Sequence, residues 1–174
     1  MSVKVLRYIN KAYPTWMTLD DQLDFLNHAM YAAKLHGSQT RRGSELPYWH
    51  HVVDVGLILA RHCQDMNLVL AGLYHDVLED TPYDEQVLRD YGLTEDTIQL
   101  VKAVTKPKGK TSAEMITDIL AHEDTRVVLL KYADNQSNLQ VDYRHVWDGW
   151  EKAFLRYAEY RVLLIKELRA RNRL

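Results

Sequence analysis

The chain has 174 residues, of which 47% are hydrophobic and 26% charged, and this composition excludes a disordered chain. Its formal net charge of −2 gives no chain-wide electrostatic attraction for nucleic acid. The single cysteine, Cys63, excludes an internal disulfide and a cysteine-based zinc site, and no apolar run approaches the about 18 residues of a membrane span. We therefore expect one soluble, cytoplasmic domain over residues 1–174, with no second catalytic or regulatory module.

The first predicted helix begins after Thr18, a good N-cap residue, and ends at Gly37. Apolar residues at steps of three and four predict its buried side, which comprises Leu19, Leu23, Leu26, Met30 and Ala33.

Helical signals continue to the end of the chain. Further helices are predicted over residues 49–63, over 67–79, from Thr81-Pro82 to about Gly92, from Thr94 to the "KPKGK" loop at 106–110, from Ser112 onward, over 126–139 and over 150–171. Segment 126–139 is short and apolar enough for a helix or a strand, and we predict a helix because no partner strand is evident. The expected fold class is all-α.

The stretch "LYHDVLEDT" at 73–81 places one histidine and three acids in an apolar helix. His75 and Glu79 are four residues apart, as are Asp76 and Asp80, so these side chains share one side. Burying such groups without partners is costly, and a helix end near solvent accounts only for Glu79 and Asp80. A divalent cation would account for the other two, and this mixture of nitrogen and oxygen suits Mn²⁺, Fe²⁺ or Zn²⁺ better than Ca²⁺.

A metal site needs ligands from elsewhere in the chain. His50 and His51 open the second predicted helix, and Asp134 is an acidic residue within an apolar run. The remaining histidines lie in more polar surroundings, and we expect them to be exposed or at the edge of the core: His28, His36, His62, His122 and His145.

Four motifs follow one another in a fixed order: "HGSQTRRGSELPYWHH" at 36–51, "YHDVLEDT" at 74–81, "LVKAVTK" at 100–106 and "VVLLKYADNQSNL" at 127–139. Together they resemble the HD-domain hydrolases of the RelA/SpoT type, and most of all the small stand-alone alarmone hydrolases. The resemblance extends over roughly residues 20–160. It implies a single compact multi-helix domain of the HD superfamily with a metal site between helices.

The resemblance also implies roles for individual residues. One Mn²⁺ per chain would be held by His51, His75, Asp76 and Asp134. Two acids would handle the attacking water, Glu79 and Asp80. Nucleotide contacts would come from Arg41, Arg42, Asn138 and Tyr157, although plain helix packing is an alternative for Tyr157. "GW" at 149–150 and "YAEY" at 157–160 resemble the segment that closes the family's pocket.

The implied activity is hydrolysis of (p)ppGpp at the 3′-pyrophosphate, which releases pyrophosphate and GDP or GTP. The chain departs from the family pattern at Val52, which replaces a proline, at an extra residue near Leu46, and in "DNQSN" at 134–138, where the family has "DRLHN". These departures leave the proposed metal ligands in place but put the substrate in question.

Three alternatives to this activity remain open. The same site could remove the 2′-phosphate of NADPH, the domain could bind a nucleotide without turnover, or the polar groups could form a purely structural network. We expect a small-molecule nucleotide as partner, neither nucleic acid nor membrane, and leave the oligomeric state open.

Overall fold

A computed structural model of the chain describes residues 13–140 and 148–173. The helices, in chain order, are α1 (Leu19–His36), α2 (Trp49–His62), α3 (Met66–Tyr74), α4 (Val77–Asp80), α5 (Glu85–Asp90), α6 (Glu95–Val104), α7 (Ser112–Ala121), α8 (Thr125–Leu139) and α9 (Trp150–Ala170). The all-α fold class is confirmed, and segment 126–139 is helical as predicted. Within the described ranges, no helix has both the length and the apolar character that a membrane crossing requires.

Side-chain caps define where several helices begin. Thr18 forms the predicted cap of α1, because its hydroxyl accepts the Asp21 N–H while the Asp21 carboxylate accepts the Thr18 N–H. The predicted helix start at Thr81-Pro82 is wrong. The Thr81 hydroxyl donates to the Val77 carbonyl and so belongs to the end of α4, whereas Asp84 caps α5 by accepting the Gln86 N–H.

The buried side of α1 differs from the prediction. Leu19, Leu23 and Met30 are 71%, 51% and 48% exposed. The helix instead packs through another row of residues, which comprises Phe25, His28, Ala29, Ala32, Leu35 and His36. Because two histidines interrupt this row, it is less apolar in sequence than the exposed one. Their burial is possible because the Nδ1 atom of each ring has a hydrogen-bond partner.

Helix α3 lies in the middle of the core and is buried from Leu68 to Tyr74. It packs closely on α2 through two glycines, since a Cβ atom on Gly72 would lie 2.7 Å from Leu59 Cδ1 and 3.1 Å from the Gly56 Cα. Helix α8 packs against α2, α3 and α9. The beginning of α2, the end of α3 and the middle of α8 consequently meet in the interior.

The single helix predicted over 67–79 is interrupted, because α3 ends at Tyr74 and α4 begins at Val77. In a continuous helix the Gly72 carbonyl would accept the Asp76 N–H. Here it faces the His75 Nδ1 at 2.9 Å, and Asp76 leaves helical geometry with φ −99° and ψ −5°. His75 and Asp76 therefore lie at a helix break in the interior.

Candidate metal centre and adjoining cavity

Two histidines and two aspartates from three parts of the chain converge on one point. His51 lies in the first turn of α2, His75 and Asp76 lie at the break after α3, and Asp134 lies in α8. Ligand atoms of His51, His75 and Asp76 lie within 4.8 Å of one another. Asp134 Oδ1 lies 3.3 Å from His51 Nε2 and 3.6 Å from His75 Nε2. The structure thus brings together all four residues for which the sequence predicts metal ligation.

Both imidazoles are oriented by contacts on the side away from this point. His75 Nδ1 lies 2.9 Å from the Gly72 carbonyl, which can only accept, so Nδ1 carries a proton in either charge state and Nε2 is the atom that can bind a cation once it loses its own proton. The Nε2 atom is buried and has no hydrogen-bond partner among the described residues, although Asp76 Oδ2 lies 2.9 Å away. His51 Nδ1 lies 2.9 Å from Ser137 Oγ, a hydroxyl that can donate or accept. Outer contacts of this kind are what metal-ligating histidines use.

The electrostatics of the cluster also suit a cation. Burial alone would lower the pKa of His75, but Asp76 and Asp134 outweigh it and raise this pKa to about 10. Burial raises the pKa of Asp76, yet His75 and His51 hold it well below its usual range. The buried Asp134 and the half-buried Asp76 therefore attract positive charge, and two imidazole nitrogens with two carboxylate oxygens form a donor set that fits a divalent metal.

Asp134 is held by two neighbours on its own helix. Its Oδ1 accepts a hydrogen bond of 2.6 Å from Asn138, and its Oδ2 accepts one of 2.7 Å from the Lys131 ammonium. Burial raises the pKa of Asp134, but Lys131 lowers it well below the usual range. Lys131 was not predicted from the sequence, although its position three residues before Asp134 in a helix was an available signal.

The two acids predicted to handle water lie beside the cluster. Glu79 lines the cavity described below, and its carboxylate accepts the Lys106 N–H at 3.0 Å and lies 3.3 Å from the Lys106 ammonium. The Tyr48 hydroxyl lies 2.6 Å from Asp76 Oδ2 and 3.3 Å from Asp80 Oδ2. Burial, followed by the charges of Asp76 and Glu79, raises the pKa of Asp80.

A cavity of about 210 Å³ opens next to the four clustered residues. Three of the four line it: His51, Asp76 and Asp134. The rest of the lining includes acidic, cationic, amide and aromatic side chains, namely Tyr48, Glu79, Lys106, Lys131, Asn135, Asn138, Arg156, Tyr157 and Tyr160. The lining thus combines His51 and three acids with two lysines and an arginine. Such a lining suits an anionic ligand that carries a ring.

Of the four residues predicted to contact the nucleotide, two line this cavity and two do not. Asn138 and Tyr157 line it, and Arg41 reaches it indirectly by donating to the Asn138 Oδ1 at 3.0 Å. Arg42 is exposed on the same loop as Arg41. Arg156, whose guanidinium lies 5.3 Å from the centre of the Tyr157 ring, was not predicted, because nothing in the local pattern of α9 distinguishes it from a surface arginine.

The other histidines meet the expectation in part. His62 and His122 are exposed, and His145 lies outside the described residues. His28 and His36 are buried, contrary to the prediction, because Tyr74 and Gln39 bind their Nδ1 atoms at 2.9 Å.

Comparisons with known proteins agree with this geometry. A family model described as HD domain matches residues 29–145, which is more than half of the chain. The chain therefore belongs to the HD domain family. The family and the buried cluster together indicate a divalent metal site.

Individual relatives of the chain have names that state an activity. A guanosine-3′,5′-bis(diphosphate) 3′-pyrophosphohydrolase of Haemophilus influenzae is 38% identical over 119 residues, which are 64% of this chain and 17% of that protein. The bifunctional (p)ppGpp synthase/hydrolase SpoT of Escherichia coli K12 is 33% identical over 141 residues, which are 76% of this chain and 20% of that protein. The chain thus spans a fifth or less of the length of these relatives.

Among solved structures, a metazoan orthologue of SpoT, described as hydrolysing ppGpp and acting in starvation responses, matches with a TM-score of 0.62 and 26% identity. The match covers 87% of this chain and 97% of that one. These findings confirm the resemblance to HD-domain hydrolases of the RelA/SpoT type, and they support a metal-dependent phosphohydrolase.

Proposed function

We propose that the protein is a Mn²⁺-dependent (p)ppGpp 3′-pyrophosphohydrolase that releases pyrophosphate and GDP or GTP. The observation that carries the proposal is the convergence of the His51 and His75 imidazoles on two aspartates beside a cavity whose lining includes cationic side chains. The names of the relatives supply the substrate. The choice of Mn²⁺ and a cytoplasmic location rest on the family resemblance.

The proposed chemistry divides between the metal ligands and two acids. His51, His75, Asp76 and Asp134 would hold the cation, and what a divalent cation supplies at such a site is polarisation of a phosphoryl oxygen and acidification of water. Asp80 is suited to accept the proton of the attacking water because its pKa is raised by burial and by neighbouring acids.

Substrate charge would be balanced by the cations around the cavity. Lys131 stays charged, because Asp134 raises its pKa despite burial, and Arg156 is permanently charged. Arg41 and Asn138 form a hydrogen-bonded pair that would contact the nucleotide, and Tyr157 offers a ring face from the same wall. Arg42 is proposed as a further contact from the exposed side of the loop.

A second candidate is hydrolysis of the NADPH 2′-phosphate, and one feature of the site favours testing it. In "DNQSN" the residues that replace the family's arginine and histidine are Asn135 and Ser137. Asn135 lines the cavity and donates to the Tyr157 carbonyl at 2.9 Å, and Ser137 contacts His51. The departures therefore lie within the site, where they can alter which nucleotide is accepted.

A metal-dependent substrate panel tests the proposal. The purified protein is incubated with ppGpp, pppGpp and NADPH, with Mn²⁺ or with a chelator. We expect pyrophosphate from the alarmones only with metal, no turnover by Asp76→Ala, and normal turnover by Asp90→Ala, a surface control. Phosphate released from NADPH alone would favour the second candidate. Bound but intact ppGpp on folded, metal-loaded protein would contradict both.

A further inference from the structure

His36 and Gln39 connect the end of α1 to one of the proposed water-handling acids. His36 is 3% exposed, and its Nδ1 lies 2.9 Å from Gln39 Oε1. The Gln39 amide nitrogen donates to the main-chain carbonyl of Asp80 at 2.7 Å. The "HGSQ" stretch at 36–39, to which no role was assigned from the sequence, therefore reaches the proposed site itself.

The direction of each hydrogen bond in this connection is determined. The Asp80 carbonyl can only accept, so the Gln39 NH₂ group faces it and Oε1 faces His36. Because Oε1 also only accepts, the His36 Nδ1 must carry a proton. Burial is the main reason that the pKa of His36 is lowered, which favours the neutral ring. His36 Nε2 is buried and has no hydrogen-bond partner within 13–140 and 148–173. This agrees with a neutral ring that carries its only nitrogen-bound proton on Nδ1.

Asp80 needs this support because α4 is only four residues long. The carbonyls at the end of a helix have no partner within it, and Asp80 is the last residue of α4. Gln39 supplies the missing donor. A single helical turn has little rigidity of its own, so the position of the Asp80 main chain depends on this contact.

The same loop also contacts the Asp80 side chain. Tyr48 closes the loop, since its N–H donates to the Gln39 carbonyl at 2.9 Å, and its hydroxyl lies 3.3 Å from Asp80 Oδ2. The Tyr48 and His36 rings lie 4.8 Å apart between centres. The loop therefore holds Asp80 at both its carbonyl and its carboxylate, and it also carries Arg41.

We propose that His36 and Gln39 are positioning residues that fix the end of α4 and thereby keep the Asp80 carboxylate beside Tyr48 and Asp76. This inference rests on the proposed function, in which Asp80 handles the attacking water. It also makes the placement of Asp80 and of the nucleotide contact Arg41 depend on one loop.

Two variants of Gln39 distinguish its hydrogen bond to His36 from its hydrogen bond to Asp80. Gln39→Met keeps the length of the side chain and removes both polar ends, whereas Gln39→Glu keeps the acceptor for His36 and removes the donor to Asp80. We expect both to lower kcat about 10- to 100-fold, with KM and Mn²⁺ affinity within about threefold of wild type. His36→Asn, whose amide can replace Nδ1–H, should retain more activity than His36→Ala. Ser38→Ala, an exposed neighbour in the loop, should match wild type.

A readout without substrate accompanies the kinetics. Nitrogen NMR of the protein loaded with Zn²⁺, which unlike Mn²⁺ is diamagnetic, should show His36 protonated at Nδ1 in wild type and in Gln39→Glu, but not fixed in that form in Gln39→Met. If wild type cleaves nothing in the panel, the proposed function fails, while this signal still tests the connection. A kcat within twofold of wild type in both Gln39 variants, a fall explained by lost Mn²⁺ affinity, or His36 protonated at Nε2 would overturn the inference. Should Gln39→Met not fold, Gln39→Glu decides by the same criteria.

Discussion

Lys106 holds the Glu79 carboxylate in two ways, through its main-chain N–H and through its ammonium group. Only the second contact depends on the side chain. The ion pair is about one-third exposed on both sides, so solvent weakens it. Glu79 should therefore keep most of its placement when the ammonium is removed.

Replacing Lys106 should accordingly have a small effect. We expect Lys106→Met to lower kcat/KM by two- to fivefold, in line with a partly exposed ion pair worth about 1 kcal/mol or less, whereas Glu79→Gln should lower it at least about 100-fold. Steady-state kinetics on ppGpp measure both. Lys110→Met, which replaces another lysine of the same loop, should leave kcat/KM unchanged. A loss with Lys106→Met as large as that with Glu79→Gln would mean that the ammonium acts on the substrate directly.

Arg41 is expected to act on binding. Arg41→Met should raise KM for ppGpp about tenfold or more with a smaller change in kcat, because a charge-assisted hydrogen bond contributes about 1.5–3 kcal/mol. Arg42→Met, at an exposed position of the loop, should raise KM less. Equal effects of the two variants, measured under the same metal concentration, would show that Arg42 contacts the nucleotide as closely as Arg41.

Among individual site residues, the sequence predicts those whose side-chain chemistry is unusual for their surroundings. His75, Asp76 and Asp134 stand out because they interrupt apolar runs. Lys131 and Arg156 do not, because a lysine or arginine in an amphipathic helix has the pattern of an ordinary surface residue. Their roles follow only from the long-range packing that turns them toward the cavity.

Helix α1 shows how a correct element can be predicted with the wrong side buried. Its start and end follow from local chemistry at Thr18 and Gly37, which the sequence contains in full. Its packing side depends on Tyr74, which binds His28 Nδ1 from a distant part of the chain, and on Gln39, which binds His36 Nδ1 from the loop that follows α1. The break between α3 and α4 was likewise missed, because a side chain competes there for a main-chain carbonyl.

The observed side of α1 can be tested by stability. Leu23→Gln should change the free energy of unfolding by less than about 0.5 kcal/mol, whereas Phe25→Ala should lower it by about 3–5 kcal/mol. Urea denaturation at one fixed Mn²⁺ concentration compares the two. A larger loss from Leu23→Gln than from Phe25→Ala would show that the predicted row is buried after all.

Across the whole molecule, Arg126 joins the beginnings of three helices. Its guanidinium lies 3.3 Å from Asp65, the cap of α3, 2.7 Å from Asp96 in the first turn of α6, and 2.7 Å from Asp124, the cap of α8. It lies about 12 Å along α8 from Asp134. This network supports the fold without belonging to the site.

The network predicts a pH-dependent contribution to stability. Hydrogen bonds from Arg126 are the main reason that the pKa values of Asp96 and Asp124 are lowered. Because an unfolded aspartate has a pKa of about 3.9, the contribution is present above about pH 4 and is lost as pH falls through the lowered values. Arg126→Met should therefore lower the free energy of unfolding by about 1 kcal/mol at pH 7, and by less at pH 3.

Urea titrations at both pH values measure this difference, with Arg89→Met as a surface control that should change stability less than Arg126→Met does. An Arg126→Met effect that is the same at pH 3 and pH 7 would indicate lost packing of the side-chain stem rather than lost charge.

The central claim is that one divalent cation is held where α2, the α3–α4 break and α8 meet. Anomalous diffraction at the manganese edge, from crystals grown with Mn²⁺, tests it most directly. We predict one strong peak per chain within about 2.5 Å of the imidazole nitrogens of His51 and His75 and of carboxylate oxygens of Asp76 and Asp134. No peak at this point, or a peak that persists there in Asp76→Ala and Asp134→Ala, would contradict the account.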